Sequence, residues 1–442
     1  MSTRRNFLRT SALAGAGLWV SRYGLASNSP NEKVNFACIG AGGKGEGEVD
    51  DCARFGNLVA LCDVDDKRAQ KSYKQYPDVP RFKDFRKMLD ELGNKIDAVT
   101  ISTPDHIHAP AAVMAMEMGK HAFVQKPLTK AVWEARLLGA IAKKNKVATQ
   151  MGNQGTAGGG LRRAVEIVQA GVLGPVKRLH VWTNRPIWPQ GIDRPTETEP
   201  APETLDWTLW LGPTPMRPYN SAYMPFNWRG WYDWGTGAFG DMACHTLNMP
   251  FWGLKLGQPA TLEAKVTELK PETYPKGSVV DYMFPARDGM AELHMTWSDG
   301  TMTPEKPEDI ELALPANAKW SKSGFYIVGE KGGIYSGDDY GNSWHLVGGV
   351  SQEGVPETIE RSPGHFEEWV IAIKGGKPAK SNFTDYSSRL TEVVLLGTVA
   401  QRLPGKKLEW DAAAMKMKGV PEADLIIHPQ YPKGWILDQV KL

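Results

Sequence analysis

Three short elements of the 442-residue chain combine residue types that can do chemistry. The first is Gly40-Ala41-Gly42-Gly43-Lys44-Gly45, with glycines in the pattern G-x-G-x-x-G. Glycines at that spacing serve a tight turn, a close approach of backbone to a pyrophosphate, and packing of the next helix on its strand. Alone the pattern is weak in a chain with 46 glycines. Its setting strengthens it: an apolar run precedes it, a helical pattern follows, and the next apolar run ends in Asp63, where a ribose-binding acid belongs. An acid there favours the free 2′-hydroxyl of NAD and repels the phosphate of NADP. The alternative is that Asp63 only caps a loop.

The second element comprises two strand ends, Ser102-Thr103-Pro104-Asp105-His106-Ile107-His108 and Val124-Gln125-Lys126-Pro127. Ligands of open parallel sheets bind beyond the carboxyl ends of the strands, so Thr103, Pro104, His106, His108, Gln125 and Lys126 become candidate cofactor contacts. His106 also reads well as a packing and hydrogen-bonding group. Pro127 pushes Lys126 out of helical geometry, which would aim its side chain into the crevice beside a nicotinamide. A partly desolvated lysine is suited to proton transfer near neutral pH. The third element is Gly237-Ala238-Phe239-Gly240-Asp241-Met242-Ala243-Cys244-His245. If it is helical, Asp241 and His245 share one face at i, i+4 and can bind adjacent hydroxyls and share a proton. The bland alternative is a helix-capping Asp followed by a structural His.

No metal is expected. No third ligand is fixed beside His106 and His108, and Cys38, Cys52, Cys62 and Cys244 lack Cys-x-x-Cys spacing. Four free thiols are expected. Eight of the 16 tryptophans fall between Trp182 and Trp252. Their faces suit sugar rings, which makes Trp228, Trp231 and Trp234 stacking candidates, although large loops and interfaces also need such anchors. Arg162, Arg163, Arg229 and Asp233 are further candidate substrate contacts, or else ordinary ion pairs.

The elements that must position these groups alternate at first. Residues 34–39, 58–62, 96–102, 121–124 and 147–151 read as buried strands, separated by helical patterns such as 85–92 and 109–118. That alternation predicts an α/β fold, with an N-terminal Rossmann doubly wound parallel sheet over residues 33–151. After about residue 152 a helix (161–170) precedes longer strands at 176–183, 261–269, 279–285, 291–298, 310–314 and 324–328. These predict a C-terminal α+β domain, 152–442, with a large mixed, mostly antiparallel sheet. Residues 184–236, rich in Pro, Trp and Gly, read as long ordered loops, and helices return at 365–373 and 388–402.

The chain begins with Thr3-Arg4-Arg5-Asn6-Phe7-Leu8-Arg9, an apolar run and Gly24-Leu25-Ala26. This reads as a twin-arginine export signal over residues 1–26, implying a periplasmic or otherwise exported protein. Its removal takes four of the 52 basic residues and none of the 50 acidic ones, leaving a slightly acidic chain. A nearly neutral balance without basic runs argues against nucleic acid and anionic membrane as partners. No stretch reaches the roughly 18 apolar residues of a membrane span.

Together these motifs resemble the glucose–fructose oxidoreductase/inositol dehydrogenase (Gfo/Idh/MocA) family over about residues 33–440. Its Thr-Pro-x-x-x-His element matches Thr103 to His108, its Glu-Lys-Pro element Gln125-Lys126-Pro127, and its Asp-x-x-x-His element Asp241 to His245. The resemblance implies that Lys126 is the catalytic lysine and that Asp241 and His245 hold the reacting carbinol of a sugar or cyclitol. It also implies a second domain that provides the substrate site and often the interface of a homo-oligomer, here a dimer or tetramer. Gln125 departs from the family's glutamate and removes a charge beside Lys126. His365-Phe366-Glu367-Glu368-Trp369 and Leu408-Glu409-Trp410-Asp411 look like the exported branch, part of which is similar to glycosidases that use NAD without net redox change. The leading expectation is an oxidoreductase with tightly held NAD. An NAD-dependent glycosidase, with Tyr223 or Tyr232 as the extra base, and a non-catalytic sugar-binding protein are the alternatives.

Overall fold

The computed structural model describes residues 33–306, 314 and 318–440. The expected export segment and all but Leu314 of the expected strand 310–314 lie outside the described residues.

The first sheet has six strands in the order β3-β2-β1-β4-β5-β6: β1 Val34–Ile39, β2 Gly56–Cys62, β3 Arg81–Phe82, β4 Ala98–Ile101, β5 His121–Val124 and β6 Thr149–Met151. Every pairing among them is parallel. Parallel strands need helical crossovers, so the sheet is covered on both faces, and its strands β1, β4 and β5 are buried almost throughout. The covering helices include α1 (Gly45–Phe55), α2 (Phe85–Leu92), α3 (Asp105–Glu117) and α4 (Val132–Asn145). The strand order reverses between β1 and β4, which opens a crevice at their carboxyl ends. The backbone ladder runs on past the strands there. Gly40 N bonds Cys62 O, Ser102 N bonds Ile39 O, and Gln125 N bonds Ile101 O. Residues from separate motifs thereby stand in one row along the sheet edge.

The second sheet has nine strands, β13-β12-β11-β7-β10-β9-β8-β14-β15, whose outer members are β12 (Gly333–Ser336), β13 (His345–Val347), β14 (Leu408–Asp411) and β15 (Lys416–Met417). Its centre comprises β7 (Val176–Thr183), β8 (Thr261–Val266), β9 (Gly277–Phe284), β10 (Leu293–Gly300) and β11 (Gly324–Gly329). β7 and β10 pair in parallel, and their other neighbours run antiparallel. Strand β9 alternates as a half-buried strand must: Val280, Tyr282 and Phe284 are fully buried while Val279, Asp281 and Met283 are not.

Two helices join these layers. The helix α5 (Gly237–Thr246) carries Asp241 and His245, and a later helix, α6 (Ser388–Arg402), lies against it. A Cβ at Gly397 would stand 1.7 Å from the Phe239 ring, so only glycine permits this approach. Helix α6 also packs on α4 of the first sheet, where Arg136 Nε reaches Glu392 Oε2 at 2.8 Å. The expected helix His365–Ile373 forms, but it covers the first sheet. Phe366 and Trp369 pack on Phe36 and Phe123, and Trp369 Nε1 donates to Ala148 O. The Rossmann layer is thus completed by residues from the far part of the chain.

Candidate active site

The glycine turn is sterically obligatory. Gly40 has φ +84°, and a Cβ there would stand 2.5 Å from Ser102 O. At Gly42 it would meet Arg68 O at 2.5 Å, and at Gly45 it would meet Gly40 O at 2.0 Å. Gly43 adopts φ +61°, a conformation L side chains rarely take. Asp63 accepts from Ala41 N (2.9 Å), Gly42 N (3.1 Å) and Asp65 N (3.0 Å). Burial pushes its carboxyl up, and these amides pull it partly back. Asp63 therefore does cap the loop, and it lines the cavity as well.

That cavity, of about 420 Å³, runs along the carboxyl edge of the first sheet at the β1/β4 switch. It is the size and place of a cofactor cleft. Gly40, Gly42, Thr103, Pro104, Gln125 and Lys126 all border it.

At the Lys126 end the two sheets meet chemically. Lys126 Nζ lies 2.8 Å from Asp241 Oδ1 and 3.0 Å from Asp241 O, and Arg229 Nε lies 3.2 Å from the same Oδ1. Burial pushes the Asp241 carboxyl up, but Lys126 and Arg229 outweigh it and hold it at about 2. The Arg229 guanidinium stacks over Trp228 and Phe226, each at 4.3 Å, and all three border the cavity. His245 lies one turn beyond Asp241, its ring edge-on to Tyr340 at 5.0 Å. Burial, and next the Lys126 cation, keep it neutral with a pKa of about 3. Its Nδ1 is buried without a hydrogen-bond partner. The direct pairing is between Asp241 and Lys126, so the helical spacing brings Asp241 and His245 to one face without joining them. An unpartnered imidazole nitrogen beside a fixed cation suits a hydroxyl ligand.

Several expected contacts lie elsewhere. His106 and His108 are buried braces and do not border the cavity. His106 Nε2 meets Trp210 O at 2.9 Å, while His108 spans Pro127 O (2.8 Å) and Thr103 O (2.9 Å). Burial holds them neutral, at about 3 and about 4, so His108 donates to only one of its two carbonyls. Its place between the two strand-end loops fixes Thr103 and Lys126 relative to each other. Arg162 is buried and ion-paired with Glu368, and Arg163 bonds Val355 O and Glu166. Both tie the 351–368 segment to the helix Gly159–Gln169, which commits them to structure. Trp231 and Trp234 are fully buried in an aromatic cluster with Tyr223 and Trp210, so neither offers a face to a sugar. Trp228 alone of the three tryptophans borders the cavity. Asp233 is ion-paired with Arg217, which stacks over Trp234. Tyr223 and Tyr232 are also absent from the cavity wall. Tyr232 packs on Tyr274, and burial raises its hydroxyl to about 12.

Four residues not singled out from the sequence enter the site. Asp105, the first residue of α3, is buried at the cavity wall and accepts from Thr236 Oγ1 at 2.7 Å. Burial raises its carboxyl to about 7 against the Thr236 hydrogen bond and Arg229. Its neighbours in Thr103-Pro104-Asp105 were the available signal. Glu48 lies behind Gln125. Trp435 and Arg86 form the opposite end of the cavity, with the guanidinium 4.7 Å from the ring. The four cysteines are buried free thiols. Among the described residues, no three His, Cys, Asp or Glu side chains gather as a metal site, and no helix is long and apolar enough to cross a membrane.

A parallel sheet of this order, a glycine turn and a lysine-centred site facing a second, mixed sheet define a Rossmann-type oxidoreductase architecture. The chain belongs to the Gfo/Idh/MocA oxidoreductase family. Residues 34–153 match the family's NAD-binding Rossmann fold, and residues 163–274 match its C-terminal alpha/beta domain. A glycosyl hydrolase family 109 protein of Shewanella pealeana is 28% identical over 198 residues, covering 39% of this chain and 43% of that protein. An alpha-N-acetylgalactosaminidase of Shewanella oneidensis is 32% identical over 161 residues, covering 30% and 35%. The chain thus spans less than half the length of these curated relatives. In fold it is similar to the WlbA dehydrogenase of Bordetella pertussis, solved with NADH and UDP-GlcNAcA. The TM-score is 0.60 at 16% identity, over 86% of this chain and 99% of that one.

Proposed function

We propose that this protein transfers a hydride between a carbinol carbon of a sugar or cyclitol and a tightly held NAD, oxidising the carbinol to a carbonyl or, with the reduced cofactor, running the reverse. The observation that carries the reading is the Lys126–Asp241 pair, reached by Arg229: Lys126 and Arg229 border the cleft that the glycine turn also borders, while Asp241 and His245, with its free buried Nδ1, stand behind that wall. The glycine turn and Asp63 would hold the adenosine half of the cofactor, and Thr103, Gln125 and Lys126 the nicotinamide half. NAD, when bound, supplies the hydride acceptor. Lys126 takes or returns the proton of the reacting hydroxyl, Asp241 fixes the position of Lys126, and His245 Nδ1 bonds the same hydroxyl or its neighbour. Asp63 favours NAD over NADP through its charge.

A second reading, an NAD-dependent glycosidase, is supported by Asp105 and by the names of the partial relatives. That chemistry needs a further proton carrier beside the lysine, and a buried carboxyl near 7 at the cavity wall is suited to that task. The reading also includes export by the twin-arginine route with the cofactor already bound, and assembly as a dimer or tetramer. Adding candidate sugars, cyclitols and glycosides to the purified protein tests the two readings. Growth of reduced-nicotinamide absorbance with a free polyol supports the first. Release of an aglycone with no lasting absorbance change supports the second.

A further inference from the structure

Gln125 stands where the family's Glu-Lys-Pro element has its acid, so the chain has no charge at that position. The structure holds one a layer behind. Gln125 Nε2 donates to Glu48 Oε1 at 2.8 Å. Glu48, on the first turn of α1, is 4% exposed and ion-paired with Lys44 of the glycine turn, and Ser102 Oγ donates to its other oxygen at 3.4 Å. A carboxylate paired with the Lys44 ammonium only accepts hydrogen bonds, so the amide nitrogen of Gln125 faces Glu48. Its oxygen is then turned away as a fixed acceptor. Gly152 grips the amide from another side, since a Cβ there would stand 2.6 Å from Gln125 Oε1. Gln125 itself borders the cavity beside Lys126.

We infer that Glu48 is the positioning residue that sets the Gln125 carboxamide in the cleft, supplying from the first turn of α1 the charge absent at residue 125. The acceptor it fixes suits a hydroxyl or amide N–H on the nicotinamide half of the cofactor, and to that extent the inference rests on the proposed use of NAD. It also accounts for the glutamine. A glutamate at 125 would place two carboxylates within hydrogen-bond distance in a buried site, where both cannot ionise.

The test is a reciprocal exchange in the full-length protein: Glu48→Gln, Gln125→Glu and the double variant. NAD affinity by calorimetry and thermal stability without nucleotide are measured from acid to alkaline pH. Each single variant is expected to weaken NAD binding about tenfold, the scale of one charge-assisted hydrogen bond. In Gln125→Glu the loss grows as pH rises, because the proton shared by the two carboxylates is then removed. The double variant restores affinity to within about threefold and abolishes that pH dependence. Additive losses in the double variant, or a Glu48→Gln protein that binds NAD as tightly as wild type, would overturn the inference. If Gln125→Glu does not fold, Glu48→Gln and the double variant decide it alone. Wild-type protein that fails to bind NAD contradicts the proposed function instead, so the two failures are distinct.

Discussion

Lys126 Nζ lies 2.8 Å from Asp241 Oδ1, and this one contact joins the end of β5 in the parallel sheet to α5 beside the nine-stranded sheet. The pair is mostly buried, with side-chain exposures of 18% and 14%. The lysine is therefore placed by two layers of the molecule that fold from different parts of the chain. Neither layer makes the site alone.

Lys126→Met keeps the length and apolar stem of the side chain but removes its proton-carrying group. Turnover is expected to fall at least about a hundredfold, the scale of general acid–base loss, with NAD affinity within a few-fold of wild type. Steady-state kinetics and calorimetry on the same preparation check both halves. Asp241→Ala strands Lys126 and Arg229 without their shared carboxylate. It is expected to cost stability as well as rate, because a partly buried charge left unpaired is destabilising.

Asp105 gives a signed pH dependence. Its carboxyl is raised from 3.8 to about 7 in the folded chain, so between those values the native protein holds a proton that the unfolded chain lacks. Its contribution to stability is present below about pH 4 and is lost as pH rises through 7. Asp105→Asn should therefore gain stability relative to wild type across that window and level off above it, by up to about 4 kcal/mol. Denaturant melts of both proteins at matched pH measure the difference. The neutral buried histidines His106, His108 and His245 act with the opposite sign. Their pKa values fall from 6.5 to about 3 or 4, so their stabilisation is complete above 6.5 and is lost as pH drops below it.

The tryptophans separate packing from binding. Trp231→Ala empties a fully enclosed site and should cost about 3–5 kcal/mol of stability. Trp228→Ala opens the cavity wall where Arg229 stacks. It should raise the substrate KM with a smaller loss of stability. Melting curves and Michaelis parameters distinguish the two.

Trp435 and Arg86 border the cavity end beyond Asp63, the side expected for the adenine base. Trp435→Ala should shorten the lifetime of bound nucleotide, and Trp435→Phe should restore much of it. Nucleotide remaining after timed dialysis reports this directly.

Much of the site could be read in the sequence because local rules governed it. The glycine spacing, the apolar runs of β1, β2, β4 and β5 and the strand-end placement of Lys126 each follow from neighbouring residues, whereas the two-residue β3, Arg81–Phe82, carries no such run. What escaped depended on distant chain. Arg162 and Arg163 look like surface arginines on a helix until Glu368 and the 351–361 loop arrive to bury the first and half-bury the second. Trp231 and Trp234 look like binding faces until Trp210 and Tyr223 enclose them. The helix His365–Ile373 is legible as a helix, but its docking on the first sheet is a long-range event that periodicity does not encode. Asp63 shows a further limit: spacing located it, but its bonds to Ala41 N and Gly42 N depend on the turn's own geometry. Glu48 is visible only through its contact with Gln125.

A cleft that holds NAD for chemistry at Lys126 should carry the nucleotide through purification. Denaturing the purified protein and identifying the released nucleotide by mass spectrometry tests this most directly. NAD or NADH is expected at close to one per chain. No released nucleotide, together with no saturable NAD binding by the refolded or native protein, would contradict it.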